Sequence, residues 1–288
     1  MRVLITGAKG LVGTALAEHC SASGDAVVGY DHKGLDITNS DAVESVIVNE
    51  RPEVVINCAA WTDVDGCESD ADKAWEANVF GPENLAGAAL LANAAFITIS
   101  TDYVFDGDKE GFYTQRDQPR PISVYGSSKL EGERKAQAAN ARTIVVRSGY
   151  IFGPAGKNFL STAVSRAARG EKLTAISDYW GTPTYGHDLA VRLRELAALD
   201  LPGVYHVVNS GDGASFETFT REALKLAGLN SDTIGVVSGD DLNRPAPRPR
   251  NSRLKCLLSE AIGLSPLPHW HDALARFVGT AQRQGRGI

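Results

Sequence analysis

Tyr125-Gly126-Ser127-Ser128-Lys129 sets a phenol and an ammonium four residues apart at the start of a helical stretch, so both lie on one face. A phenol with a reference pKa of about 10 is a poor base and a moderate acid at neutral pH. A cation beside it favours the phenolate, which eases donation of its proton to a forming alkoxide. Lys129 also has the reach to hold a cofactor ribose. On its own, Tyr-x-x-x-Lys describes many surface helices. Here it is accompanied by Ser100-Thr101-Asp102-Tyr103, directly after the apolar run Phe96–Ile99. In a doubly wound sheet the carboxyl ends of strands border the ligand crevice. That places the Thr101 hydroxyl to hydrogen-bond a carbonyl beside Tyr125. Carbonyl reduction is the chemistry these three side chains suit.

Residues 2–13, Arg-Val-Leu-Ile-Thr-Gly7-Ala8-Lys9-Gly10-Leu11-Val12-Gly13, read as strand, tight turn and helix. Gly7 permits the turn, Gly10 omits a side chain where a pyrophosphate must approach, and Gly13 lets helix pack on strand. The amides of Gly10, Leu11 and Val12 then face the anion. Asp31 closes a second strand about 20 residues further on, where a carboxylate bonds a ribose diol and repels a 2′-phosphate. That favours NADH, while Lys33 offers a cation that would admit NADPH, so both cofactors stay open. Asp36-Ile37 is placed to border the adenine. Asn57-Cys58-Ala59-Ala60 follows another strand and supplies small residues along the dinucleotide, and Ser100 joins the same side. Asn78 either props this site through backbone hydrogen bonds or is a satisfied polar group within a helix.

These residues need a scaffold, and the pattern of the chain supplies one. Continuous apolar runs lie at Val3–Ile5, Ala26–Tyr30, Val54–Ile56, Phe96–Ile99 and Thr143–Val146, as in strands buried on both faces. Between them, Leu11–Ser21, Ser40–Glu50, Ala71–Asn93 and Ser127–Ala139 are rich in helix formers. Strands spaced by helices predict an α/β fold, a Rossmann-like doubly wound parallel sheet. Residues 1–150 form the nucleotide-type domain, rejoined by elements from about 175–210. Residues 151–288 form mainly a smaller α/β substrate-binding part, with helices at Asn158–Arg169 and Ser215–Ala227 and a strand within residues 203–208. The tail from Gln282 is expected to fray.

The chain has 288 residues, room for a full core without disulfides. A net charge of −6, spread along the sequence, argues against a nucleic-acid binder. Cys20, Cys58, Cys67 and Cys256 show no metal or C-x-x-C spacing and read as thiols in a reducing cytoplasm. No apolar run spans a membrane, and a first strand beginning at Arg2 leaves no room for a leader. No metal is expected. His269-Trp270-His271 lacks a third ligand, and the acidic stretch from Asp63 to Asp72 reads as a solvated loop leading into a helix. His187 and His206 read as structural.

Taken with Ser100–Gly107 and Tyr125–Lys129, the glycine turn and the Asn-x-Ala-Ala segment resemble the extended short-chain dehydrogenase/reductases. More narrowly they resemble the dTDP-4-dehydrorhamnose reductase family. That match rests on Ala59-Ala60-Trp61-Thr62-Asp63-Val64-Asp65 with Glu68, and on Tyr125–Glu133. It continues through Asn158-Phe159, Gly181–Thr184 and Arg248-Pro-Arg-Asn-Ser252. The resemblance implies reduction of the C4 ketone of a nucleotide-linked 6-deoxy-hexose, with Tyr125 giving the proton and Thr101 polarising the carbonyl. It adds Thr62 to the cofactor side, and Tyr103, Tyr150 and Arg248 to the nucleotide-sugar side. A guanidinium such as Arg248 suits pyrophosphate oxygens, and Pro247 and Pro249 stiffen its loop. Two stretches depart from the family. Tyr150 stands where Trp is common, and Asp178-Tyr179-Trp180-Gly181 where Asp-Gln is common.

Two other functions compete. A 4,6-dehydratase or C4-epimerase on this scaffold returns its cofactor, but a dehydratase of this group carries Asp-Glu after the threonine, and here Tyr103 follows Asp102. A non-catalytic cofactor-binding subunit has no need of Thr101, Tyr125 and Lys129 together. The expected partner is a nucleotide sugar, and the default assembly a homodimer.

Overall fold

A computed structural model describes residues 1–283. Residues 284–288, most of the tail expected to fray, lie outside the described residues, while Gln282 and Arg283 end the last helix.

Six parallel strands form the main sheet: β1 (Arg2–Thr6), β2 (Ala26–Tyr30), β3 (Val54–Asn57), β4 (Ala95–Thr101), β5 (Thr143–Ser148) and β10 (Gly203–His206). Their spatial order is β2-β1-β3-β4-β5-β10. The order reverses between β1 and β3, and a crevice opens outside the carboxyl ends at such a switch point. Helices α1 (Leu11–Ala22) and α8 (Gly186–Leu199) pack together over one face. Helices α2 (Ser40–Glu50), α5 (Gly81–Leu91) and α6 (Val124–Ala139) cover the other. Successive strand residues point to opposite faces. Val3 and Ile5 accordingly join the first core and Leu4 the second, which is why these runs are apolar throughout. β2 differs from the expectation of two buried faces: it is an edge strand, and its residues are half-buried or exposed.

Two helical stretches also differ. Ala71–Asn93 is not one helix but α4 (Ala71–Trp75), a π turn (Glu76–Phe80) and α5. The turn lies where α6 comes closest: a Cβ on Gly132 would stand 2.0 Å from the Asn78 carbonyl oxygen. The acidic stretch expected as a solvated loop contains helix α3 (Val64–Ser69), capped by Asp63. Glu68 there accepts from the Val124 amide (2.7 Å), tying α3 to the start of α6.

Beyond β5 come β6 (Ile151–Phe152), α7 (Phe159–Ala168), β7 (Thr174–Ile176), β8 (Trp180–Gly181) and β9 (Thr184–Tyr185). After β10 come β11 (Ala214–Ser215), α9 (Phe216–Leu226), β12 (Gly235–Val237) and α10 (Trp270–Arg283). They pair as β6–β9, β7–β12 and β8–β11, and share a core of Phe152, Phe219, Trp270, Leu274 and Phe277. This layer sets Tyr150, Phe159 and Phe216 across from the sheet's carboxyl ends. Among the described residues no helix is long and apolar enough to cross a membrane.

Candidate functional site

A cavity of about 500 Å³ lies at the carboxyl ends of β1, β3, β4 and β5. Gly10, Leu11 and Val12 line one end of it, and Cys58, Ala59, Ala60 and Thr62 line the side above β3. Gly7 (φ +65°) turns the chain out of β1 in the left-handed region that glycine tolerates, and a Cβ there would meet the Cys58–Ala59 backbone at 2.7 Å. A Cβ on Gly13 would lie 2.2 Å from the Gly7 carbonyl oxygen, so this glycine sets how closely α1 sits on the turn. No side chain caps the amino end of α1, and its first turn carries no acid. Free amides at a helix start attract an anion.

Thr101, Tyr125 and Lys129 meet at the other end of the same cavity. Ser123 caps α6 through the Gly126 amide (3.1 Å), so that α6 starts at Val124, three residues before the expected start, with Tyr125 in its first turn. Tyr125 and Thr101 line the cavity together. Burial raises the phenol above its ordinary pKa, so it carries its proton at neutral pH. Lys129 does not offset this as the sequence suggested. Its Nζ donates to the Ile99 carbonyl (2.8 Å), and burial pushes its own pKa down to about 8. Thr101 donates to Asp102 Oδ1 (3.0 Å) and accepts from the Tyr103 amide (3.1 Å).

Tyr103 and Tyr150 also line the cavity. The Tyr103 ring stands edge-on to Tyr125, with centroids 6.0 Å apart. Tyr150, at positive φ (47°), donates to the Tyr179 carbonyl (3.3 Å), and its ring fills the space that a Cβ on Gly181 would need. The two departures from the family pattern thus touch each other beside the cavity.

Other expected site residues lie elsewhere. The Ser100 hydroxyl donates to Glu133 on α6, so only the rest of this residue borders the cavity. Asn78 does not line it. Its amide accepts from Trp61 N (2.9 Å) and donates to Trp61 O (3.0 Å) and Ser128 Oγ (3.2 Å), which makes it the prop of the 59–62 loop. Ile37 is 7% exposed and packs in the core at the start of α5, because an apolar side chain there is worth more buried than facing a ligand. The Asp36 carboxylate turns back onto the amide and hydroxyl of Thr38. Neither lines the cavity. Asp31 stands at the end of β2 as expected, but Lys9 of the glycine turn, not Lys33, reaches its carboxylate. Arg248 forks onto Asp65 of α3 (2.8 and 2.7 Å) and borders a separate groove with Arg244 and Tyr179. The acid that read as solvated is therefore the anchor of the arginine loop. His206 is buried, with Nδ1 facing the carbonyls of Tyr113 and Lys255.

Ser148 was not singled out in the sequence. It pairs with Thr101 across β4 and β5, lines the cavity, and is 2% exposed. Its hydroxyl has no hydrogen-bond partner among the described residues, a cost that a bound ligand would remove. Its neighbourhood with Thr101 depends on strand register, which local pattern does not disclose.

The RmlD substrate binding domain family matches residues 1–283. The dTDP-4-dehydrorhamnose reductase of Streptomyces griseus is 36% identical over 100% of this chain and 96% of its own length. A probable dTDP-4,6-dihydroxy-2-methyloxan-3-one 4-ketoreductase of Streptomyces antibioticus is 34% identical over 95% of this chain and 93% of its own. The crystal structure of dTDP-4-dehydrorhamnose reductase from Bacillus anthracis in complex with NADP superposes with a TM-score of 0.92 at 34% identity, covering 97% of this chain and 99% of that one. Alike in sequence and fold over nearly its whole length, the chain belongs to the dTDP-4-dehydrorhamnose reductase family.

Proposed function

We propose that the protein is an NAD(P)H-dependent reductase of the C4 ketone of a nucleotide-linked 6-deoxy-hexose, with dTDP-4-dehydro-L-rhamnose as substrate and dTDP-L-rhamnose as product. The observation that carries this reading is the meeting of Thr101, Tyr125 and Lys129 in one cavity with the uncapped start of α1. The residues fit a dinucleotide. Gly10 and the free amides offer a cradle for its pyrophosphate, and the unpartnered Ser148 hydroxyl offers a polar contact deeper in. A bound reduced nicotinamide supplies the hydride for C4. Tyr125 gives its proton to the C4 oxygen as charge develops there, and the Lys129 ammonium, held at the Ile99 carbonyl in the same cavity, is placed to bind the cofactor ribose. Thr101 holds the ketone oxygen, and Tyr103 and Tyr150 bound the space for the sugar.

The test is turnover. NADH or NADPH is mixed with a panel of nucleotide 4-keto-6-deoxy sugars, and loss of reduced cofactor is followed alongside product. The expected result is one cofactor consumed per sugar reduced, with the dTDP-rhamnose precursor turned over fastest. Sugar conversion without net cofactor loss would favour an epimerase or dehydratase and end this reading.

Cofactor choice follows from the Lys9–Asp31 pair. The Lys9 side chain is 81% exposed and free to leave Asp31 for a 2′-phosphate, so both cofactors are expected to serve. Lys9→Ala leaves Asp31 uncompensated and should lower kcat/KM for NADPH relative to NADH by roughly three- to fivefold. Asp31→Ala should move the ratio the other way. Equal ratios in all three proteins would remove both residues from the cofactor site.

A further inference from the structure

Thr101 has one proton to give, and the structure already spends it. Its hydroxyl donates to Asp102 Oδ1 at 3.0 Å, while its oxygen accepts from the Tyr103 amide. With its hydrogen on Asp102, the Thr101 hydroxyl is not aimed at a ketone.

The carboxyl that holds this arrangement is unusual. Asp102 is 3% exposed and has no cationic partner among the described residues. The Lys129 ammonium goes to the Ile99 carbonyl and the Arg248 guanidinium to Asp65. Besides Thr101, the side chain that bonds Asp102 is Ser252, whose hydroxyl donates to Oδ2 from the Arg248–Ser252 segment. Tyr103 on its own turn, Tyr125 of α6 and Tyr150 after β5 are the titratable groups that feel its charge. Room for the carboxyl comes from Gly149, where a Cβ would lie 2.4 Å from it.

We propose that Asp102, positioned by Ser252, is the switch that aims the Thr101 proton. Ionised, it draws the Thr101 hydrogen to itself. Protonated, it donates to the Thr101 oxygen. That bond and the Tyr103 amide then fill both lone pairs of Thr101. The Thr101 hydrogen is then released toward the ketone oxygen, which the Tyr125 phenol protonates. The proton count closes: one proton enters Asp102 from solvent on the switch, and the proton that reaches the C4 oxygen comes from Tyr125. The inference rests on the reduction proposed above and adds Asp102 and Ser252 to it as positioning residues.

Burial brings the Asp102 pKa up to about 6, within reach of such a switch. The test is the pH profile of kcat/KM for the keto sugar, which reports groups of the free enzyme. Wild type should fall as pH rises through about 6 and again near 8, where Lys129 loses its proton. Ser252→Ala removes a donor to the carboxylate and should move the first fall upward by about half to one pH unit, leaving the second in place. Asp102→Asn keeps an N–H donor toward Thr101 and should abolish the first fall. A carbon-13 titration of the wild-type aspartate carboxyls guards against variants that fail to fold. Asp102 titrating near 4, as an ordinary carboxylate, would overturn the proposal. So would a first fall unmoved in both variants while reduction proceeds. No reduction at any pH by wild type would instead take down the reaction assignment, and this inference with it.

Discussion

Tyr125→Phe is expected to lower kcat by about 10²- to 10⁴-fold while leaving cofactor affinity within about twofold. The substitution deletes the hydroxyl assigned as proton donor and little else. The aromatic ring keeps its place beside Cys67 and Ala74 and its edge-on contact with Tyr103. Thr101 keeps its bonds to Asp102 and to the Tyr103 amide. Burial holds the phenol above its ordinary pKa, so wild type begins each cycle with the proton in hand over the whole physiological range. The alkaline loss of activity belongs to Lys129, whose charge disappears above about 8. Single-turnover measurement of cofactor oxidation, with cofactor binding followed by fluorescence, separates the two effects. Turnover within tenfold of wild type would show that another group supplies the proton.

What the sequence disclosed, and what it did not, divides by distance along the chain. The glycine turn and the Tyr125–Lys129 spacing are local, and backbone geometry alone decides where their side chains go. Thr101 was legible because a strand end after a buried run has one place to be in a doubly wound sheet. Partners far apart in sequence were not legible. Lys9 and Asp31 belong to different strand ends, Asp65 and Arg248 are 183 residues apart, and Asp102 and Ser252 are 150 apart. Only the reading of Asp65 was displaced by a distant partner. Asp65 read as solvated until Arg248 covered it. Arg248 of the Arg248-Pro-Arg-Asn-Ser252 motif read as a nucleotide-sugar contact, and nothing local disclosed that the motif's last residue reaches the Asp102 carboxyl. The π turn at Asn78 was hidden for the same reason, since its cause is the approach of Gly132 from another helix.

Glu133→Ala is expected to cost about 3–5 kcal/mol of folding stability, a large share of the roughly 5–15 kcal/mol that holds a domain folded. Glu133 of α6 and Arg147 of β5 form a two-pronged pair at 2.9 and 2.6 Å, with side chains only 3% and 7% exposed. Removing the acid leaves a guanidinium buried beside the Phe105 ring with its charge unanswered. The pair also receives the Ser100 hydroxyl, so it joins the last turns of β4 and β5 to α6. Thr101 and Ser148 are the next residues on those two strands. A stability loss should therefore be accompanied by lower kcat even under conditions where the variant is folded. Urea denaturation followed by tryptophan fluorescence reads the first effect, and turnover well below the unfolding transition reads the second. Replacing both members with apolar residues, Glu133→Leu with Arg147→Met, should recover much of the stability, because no charge is then left buried alone. Activity should not recover with it, since Ser100 still lacks its acceptor. A single substitution costing less than about 1 kcal/mol would mean that water reaches Arg147 and that the pair does not fix the strand ends.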